Sequence, residues 1–288
     1  MQLLGIDFSS APSRKKPVAV AHGRWEGQTI HIDELSELPT LAGFEALLQE
    51  GPFVAAIDMP FGLSRQLVDG LKWPGHGVAA PSTWGNLIDF YGNLSKEDIR
   101  ATFKAWCDAR PAGKKFAHRA CDTPAGSSPS MKWVNPPVAF MLQVGAPLLK
   151  KAGVHIPGMQ KGDAQRVAIE AYPGFLARQV LGRQSYKTDT PSKDSPDRKQ
   201  ARNELVCALE DGMLLGIRVN VRPWLRGKLI EDAKADLLDS VLCCLVAGWC
   251  EKRSDIHFGL PPVIDPVEGW IAPVPFKVGL AGYNDRAV

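Results

Sequence analysis

The chain has 288 residues, of which 45% are hydrophobic, with a net charge of +3. That suits one large domain, or a domain carrying a big insertion, with an ordinary core. It excludes a global basic field as the basis for any partner, so local patches must carry such a case. No stretch is long and apolar enough to span a bilayer, and strand-like sequence begins at once where a secretory leader would stand. The expectation is a cytoplasmic protein without membrane attachment. Six cysteines, Cys107, Cys121, Cys207, Cys243, Cys244 and Cys250, form no CxxC pair and have no histidine at zinc spacing, so free buried thiols are expected.

Taken in chain order, "LLGIDFSS" (3–10) reads as an apolar strand containing Asp7. After the polar turn "APSRKK", "PVAVAHGRWEG" and "QTIHIDELSEL" alternate as two further strands joined by a hairpin turn. "TLAGFEALLQE" repeats Leu41, Phe44, Leu47 and Leu48 at helical spacing, with Thr40 as N-cap and Gly51-Pro52 as its stop. "FVAAIDM" is a fourth strand, ended by Pro60 and carrying Asp58. The crossover helix requires the fourth strand to run parallel to a neighbour in the same sheet.

Residues 64–165 read as an inserted cap. A loop rich in Pro, Gly and Trp leads to a helix after Ser95, "KEDIRATFKAWCDA". A long polar loop follows, then an apolar helix, "VAFMLQVGAPLLKKAG". The core pattern resumes in "RVAIEAYPGF", a fifth strand in which Val167, Ile169 and Ala171 alternate with Ala168, Glu170 and Tyr172, and which ends at Pro173. Helices are expected over "RKQARNELVCALEDG" and, as one long element, "KLIEDAKADLLDSVLCCLVAGWCEKR"; "EGWIAPVP" offers a short late strand. The expected architecture is one α/β domain, 1–288. Its mixed sheet has five strands, the first three antiparallel and the fourth and fifth parallel to the first.

Asp7, Asp58 and Glu170 stand in, or at the ends of, strands that should be buried, where a charge costs several kcal/mol unless compensated. Singly, each has an ordinary explanation in reaching solvent or capping a turn. The late helix adds Asp236 and Asp239, three apart and pointing the same way, on a face otherwise made of small side chains that invite close approach to another layer. If the first and fourth strands are adjacent and parallel, Asp7 and Asp58 emerge at the same end of the sheet, where ligands of such sheets bind. Two carboxylates about 4 Å apart repel by roughly 4 kcal/mol at an effective dielectric of about 20. Hard divalent cations with oxygen ligands, Mg2+ or Mn2+, are the economical remedy.

The element order, with Asp in the first and fourth strands and in a late helix, resembles the ribonuclease H-like superfamily. More narrowly, "GIDFSSAP", "IDMPFGLS", "IEAYPGF" and "KADLLDSVLCCLVA" resemble the blocks of a predicted nuclease family, domain of unknown function 429, from residue 4 to about 247. The resemblance implies a ribonuclease H-like fold and a two-metal phosphodiesterase acting on nucleic acid. It places the first-strand acid on Asp7, the fourth-strand acid on Asp58, the fifth-strand acid on Glu170 and the helix pair on Asp236 and Asp239. Asp7, Asp58, Asp236 and Asp239 would be metal ligands, and Glu170 a ligand or a water-orienting group. Fold alone does not fix activity.

Two basic loops support a nucleic-acid partner: residues 110–119, and residues 183–202 with six cations against three acids. Arg119, Lys187 and Ser9 are the candidate phosphate contacts. His118 reads more simply as a loop residue, and Trp73, Trp84, Trp106 and Trp133 as core or anchoring residues more readily than as base-stacking platforms. "GIDFSSAP" also evokes the first phosphate loop of actin-like ATPases and sugar kinases, but no second glycine-rich Asp hairpin follows. A phosphotransferase and a non-catalytic binding module remain the alternatives.

Overall fold

In a computed structural model, residues 1–71 and 80–276 are described; Trp73 and His76 lie outside them. The described residues form one mixed sheet of eight strands, not five. The first strands are β1 (Gln2–Asp7), β2 (Val18–Glu26) and β3 (Thr29–Leu38), an antiparallel meander. Helix α1 (Leu41–Leu47) crosses to β4 (Phe53–Asp58), which pairs parallel to β1. The Thr40 hydroxyl accepts the Gly43 amide at 3.1 Å, as expected of an N-cap.

The insertion supplies α2 (Arg65–Gly70), α3 (Trp84–Gly92), α4 (Lys96–Asp108), α5 (Asp122–Ala125) and α6 (Val138–Ala152). Ser95 and Asp98 form a reciprocal capping box at the start of α4. After β5 (Val154–His155) and β6 (Asp163–Ala171), the chain runs through α7 (Pro173–Leu181), α8 (Pro196–Asp211), β7 (Arg218–Val221), α9 (Pro223–Glu231), α10 (Asp236–Glu251) and β8 (Ile271–Ala272). The sheet order is β5-β6-β4-β1-β2-β3-β7, with β8 also on β6.

Two expectations are corrected besides the strand count. Pro173 does more than end β6: it starts α7 at a position where its missing N–H costs nothing. The long helix expected from Lys228 is two helices. Between them Ala235 adopts the left-handed region, φ 60°, and the Asp232 carboxylate accepts the amides of Lys234 and Leu237 at 3.1 and 3.2 Å. Of the three strands beyond five, β8 falls in "EGWIAPVP", where a short late strand is expected; β5 and β7, of two and four residues, are too short to display a period of two.

Helices cover both faces of the sheet. On one face Leu4, Ile6, Val20, Ala55 and Ile57 pack with Trp84, Leu87, Leu142 and Ala146 of the insertion in a single core. On the other, Leu3, Val54, Ala56, Val167 and Ile169 pack with α8, α9 and α10. The insertion is therefore the second helical layer of the fold and not a detached cap. Helix α10 is buried nearly all round, between the sheet and the outer helices. Among the described residues, no helix is long and apolar enough to cross a membrane.

Candidate active site

The parallel register of β1 and β4 pairs Asp7 directly with Asp58. Side chains alternate along a strand, so Leu3, Gly5 and Asp7 share the α10 side of the sheet with Val54, Ala56 and Asp58. Gly5 makes this arrangement possible: a Cβ there would lie 1.9 Å from the Ser240 carbonyl oxygen and 2.1 Å from the Cys244 nitrogen. The backbone of α10 thus rests on the backbone of β1, which brings the start of the helix down to the strand ends. Among the described residues no protein donor bonds to the carboxylate of Asp7 or Asp58. Burial pushes the Asp7 pKa well above the usual carboxylate range, and Asp58, Asp239 and Asp236 push it further against the pull of Lys187. Burial also raises Asp58, to about 7, with Lys187 opposing and Asp239, Glu170 and Asp236 adding.

Asp239, fully buried on α10, is already satisfied. It accepts the Tyr186 hydroxyl at 2.7 Å and the Lys187 ammonium at 2.6 Å. Burial opposes the charge on Lys187, but Asp239, Tyr186 and Asp7 outweigh it and hold its pKa well above the ordinary value. Asp236, one turn earlier, is half-buried; burial, Asp232 and Asp239 raise its pKa.

By the alternation of β6, Glu170 leaves the sheet on the other face from these four acids, yet it lines the same cleft and adds to the Asp58 shift. It pairs in register with Ile57, on the face opposite Asp58, whereas Ala171 is the partner of Asp58. There it forms a buried double hydrogen bond with Arg119, Nη2 to Oε1 at 2.6 Å and Nη1 to Oε2 at 2.7 Å. Arg119 also binds Asp122 through Nε at 3.0 Å, and all three side chains are almost fully buried. Glu170 Oε2 accepts the Phe61 amide at 2.9 Å, and the Phe61 carbonyl accepts the Trp84 indole at 2.6 Å. The turn after Asp58 is thereby gripped from both sides. Glu170 and Arg119 act as its brace.

A cleft of about 830 Å³ opens over the strand ends, lined by Asp7, Asp58, Asp236, Ser9, Lys187 and Arg119 among others. Asp239 lies behind this lining. Lys16 and Lys234 also border the cleft. Sequence reasoning gave neither a role, although Lys16 closes the turn "APSRKK" and Lys234 opens the block "KADLLDSVLCCLVA". It also passed over Tyr186, whose only signal was adjacency to Lys187. Of the basic loops, Lys114, Lys115 and His118 are exposed, and so are Arg183, Lys193 and Lys199. Arg202 is fully buried on Asp194, 2.7 Å away, and is structural. Trp84 and Trp106 are core residues, and Trp133 is half-buried.

The family described as "Protein of unknown function (DUF429)" matches residues 5–258, most of the chain and every element of this site. The chain belongs to DUF429. It matches no curated protein and no solved structure.

Among the described residues of this DUF429 protein, no three His, Cys, Asp or Glu side chains are grouped to hold a metal ion unaided. The donor chemistry nevertheless fits one hard cation. Asp7 and Asp58 are paired, lack protein donors and line the cleft. Mg2+ commonly takes only one or two carboxylates and completes its shell with water and substrate phosphate. A second ion would need Asp236 or Asp239, and Asp239 is committed to Tyr186 and Lys187.

Proposed function

We propose that this DUF429 protein is a divalent-cation-dependent phosphodiesterase that hydrolyses nucleic acid. The observation that carries the reading is the register pairing of Asp7 with Asp58 at the floor of a lysine-bordered cleft, with neither carboxylate bonded by a protein donor among the described residues. The inner strand order β6-β4-β1-β2-β3, three antiparallel and two parallel, is the one a ribonuclease H-like sheet would have, and it supports the same reading.

Asp7 and Asp58 would hold Mg2+ or Mn2+, which when bound supplies charge stabilisation to the phosphoryl oxygens. Lys187, Lys16 and Lys234 offset phosphate charge at the cleft. Ser9, placed just after Asp7, offers a hydroxyl to a phosphate oxygen. Asp236, half-buried and lining the cleft, is free to take the proton of the attacking water. Glu170 and Arg119 keep the turn after β4, and hence Asp58, in place. Asp239 fixes the Lys187 ammonium.

The test is cleavage of single-stranded, duplex, branched and hybrid nucleic acids with Mn2+. Asp7→Asn and Asp58→Asn should each abolish cleavage while leaving the circular dichroism spectrum unchanged. A wild-type protein inert on the whole panel, or an Asp7→Asn variant as active as wild type, would refute the assignment.

A further inference from the structure

The cleft has two unlike walls. The side towards α10 carries Lys16, Lys187 and Lys234; the side made by the insertion carries, beyond the polar Arg119, Ser127, Ser128 and Asn135, an apolar stretch of Pro136, Pro137, Val138 and Met141, at and just before the first turn of α6. Pro136 and Pro137 are exposed and Val138 and Met141 half-buried, so the apolar wall has surface to offer. Its position next to the acids is fixed by Gly145. A Cβ there would lie 2.3 Å from the Met59 sulfur and 3.0 Å from a Phe8 ring carbon. Phe8 and Met59 immediately follow Asp7 and Asp58. Helix α6 therefore lies directly against the two strand exits, on the face opposite α10, and its first turn borders the same cleft as the acids.

Size and charge narrow the occupant. The cleft volume, about 830 Å³, is that of a small-molecule pocket, typically ~300–1,000 Å³. A specific duplex interface covers roughly 1,000–2,500 Å² of protein and needs a long cationic track along two strands. Here the lysines bordering the cleft stand to one side, Arg119 on the insertion side is buried and bound to Glu170 and Asp122, and an apolar stretch takes the place of the other half of such a track. One nucleotide has this polarity: an anionic phosphate on one side and a flat apolar base on the other.

We propose that the cleft takes a single strand, or the frayed end of one, with an unstacked base lodged against the α6 wall while its phosphate faces the acids and lysines. This rests on the phosphodiesterase reading and names its substrate class.

The test uses the full chain and labelled decamers, read by fluorescence anisotropy with Ca2+ and by initial cleavage rate with Mn2+. The strands are a single strand, its blunt duplex, and the same single strand made abasic. The single strand should bind about tenfold more tightly than the duplex or the abasic strand. Met141→Glu should weaken binding of the normal strand about tenfold and leave the abasic strand within about twofold. Pro137→Glu, at an exposed position, should act in the same direction and guards against a folding defect in the first variant. Duplex binding equal to single-strand binding, or wall variants that affect normal and abasic strands alike, would overturn this inference and leave the phosphodiesterase reading standing. Failure to bind or cut any strand would overturn both.

Discussion

Asp7 and Asp58 share a register position at the ends of neighbouring strands, and among the described residues no protein donor hydrogen-bonds to either carboxylate. With Asp58 raised to about 7 and Asp7 raised well above the ordinary range, the folded protein binds protons more tightly than the unfolded chain does. The stability these protons confer is complete below the unfolded carboxylate range near pH 4 and is lost as pH rises through about 7. Without divalent cations, the melting temperature should therefore fall between pH 5 and pH 8 by some degrees, since ~1 kcal/mol moves it roughly 2–4 °C at this size. Asp58→Asn should flatten that fall and melt higher than wild type at pH 8. Mn2+ at pH 8 should restore the wild type and not the variant. A metal-free melting temperature that is flat or rises over this range would contradict the pairing. Lys187 adds a second test at the same scale. Removing one partner of a buried ion pair costs about 3–5 kcal/mol, but this ammonium is half exposed, so the low end is the ceiling. Lys187→Met should lower the urea midpoint while tightening Mn2+ binding by calorimetry, because one opposing cation has gone. Unchanged Mn2+ affinity would place Lys187 outside the field of the site.

Among the elements, α10 decides whether the acids meet, and its seat on β1 depends on one glycine. A methyl group at position 5 would fall inside the backbone of α10, 1.9 Å from a carbonyl oxygen. A backbone contact cannot be relieved by turning a side chain. Gly5→Ala should cost at least the ~1–3 kcal/mol of ordinary overpacking and weaken Mn2+ binding, as the helix lifts away from the strand exits. Chemical denaturation and calorimetry read the two effects separately; a variant with wild-type stability would mean that α10 does not rest there. Much of this element was legible beforehand. The face of small side chains around Ser240 and Cys243 pointed to close packing, and the apolar runs in "LLGIDFSS" and "FVAAIDM" marked buried strands with Asp7 and Asp58 in or at the end of them. The alternation in "RVAIEAYPGF" put Glu170 on the other face from Ile169 and Ala171, as the sheet has it. The break before α10 was illegible because it rests on Ala235 in a left-handed conformation, which no residue preference announces. Arg119 could not be assigned from sequence either. Its partner Glu170 lies 51 residues away, and only the fold brings them within 2.6 Å.

For the whole molecule, the insertion determines what kind of object the protein is. A detached cap would bury its own core and could be removed. Here Trp84, Leu87, Ile88, Leu142 and Ala146 share one continuous core with Leu4, Ile6, Val18, Ala55 and Ile57 of the central strands. Excision would expose a whole sheet face, and each large side chain left uncovered forfeits about 1.5–3 kcal/mol. A domain's net stability is only about 5–15 kcal/mol, so a few such residues exhaust it. The insertion also delivers Arg119, whose loss would leave Glu170 and Asp122 buried without a cation. A chain in which residues 80–152 are replaced by a short Gly/Ser linker should therefore fail to fold, giving no cooperative thermal transition and no near-ultraviolet circular dichroism. Arg119→Ala alone should lower stability by about 3–5 kcal/mol, and Arg119→Met combined with Glu170→Gln should cost less, because it removes the stranded charge along with its partner. If the excised chain melts cooperatively, the insertion is a separable cap after all, and the α6 wall would be a later addition to a site complete without it.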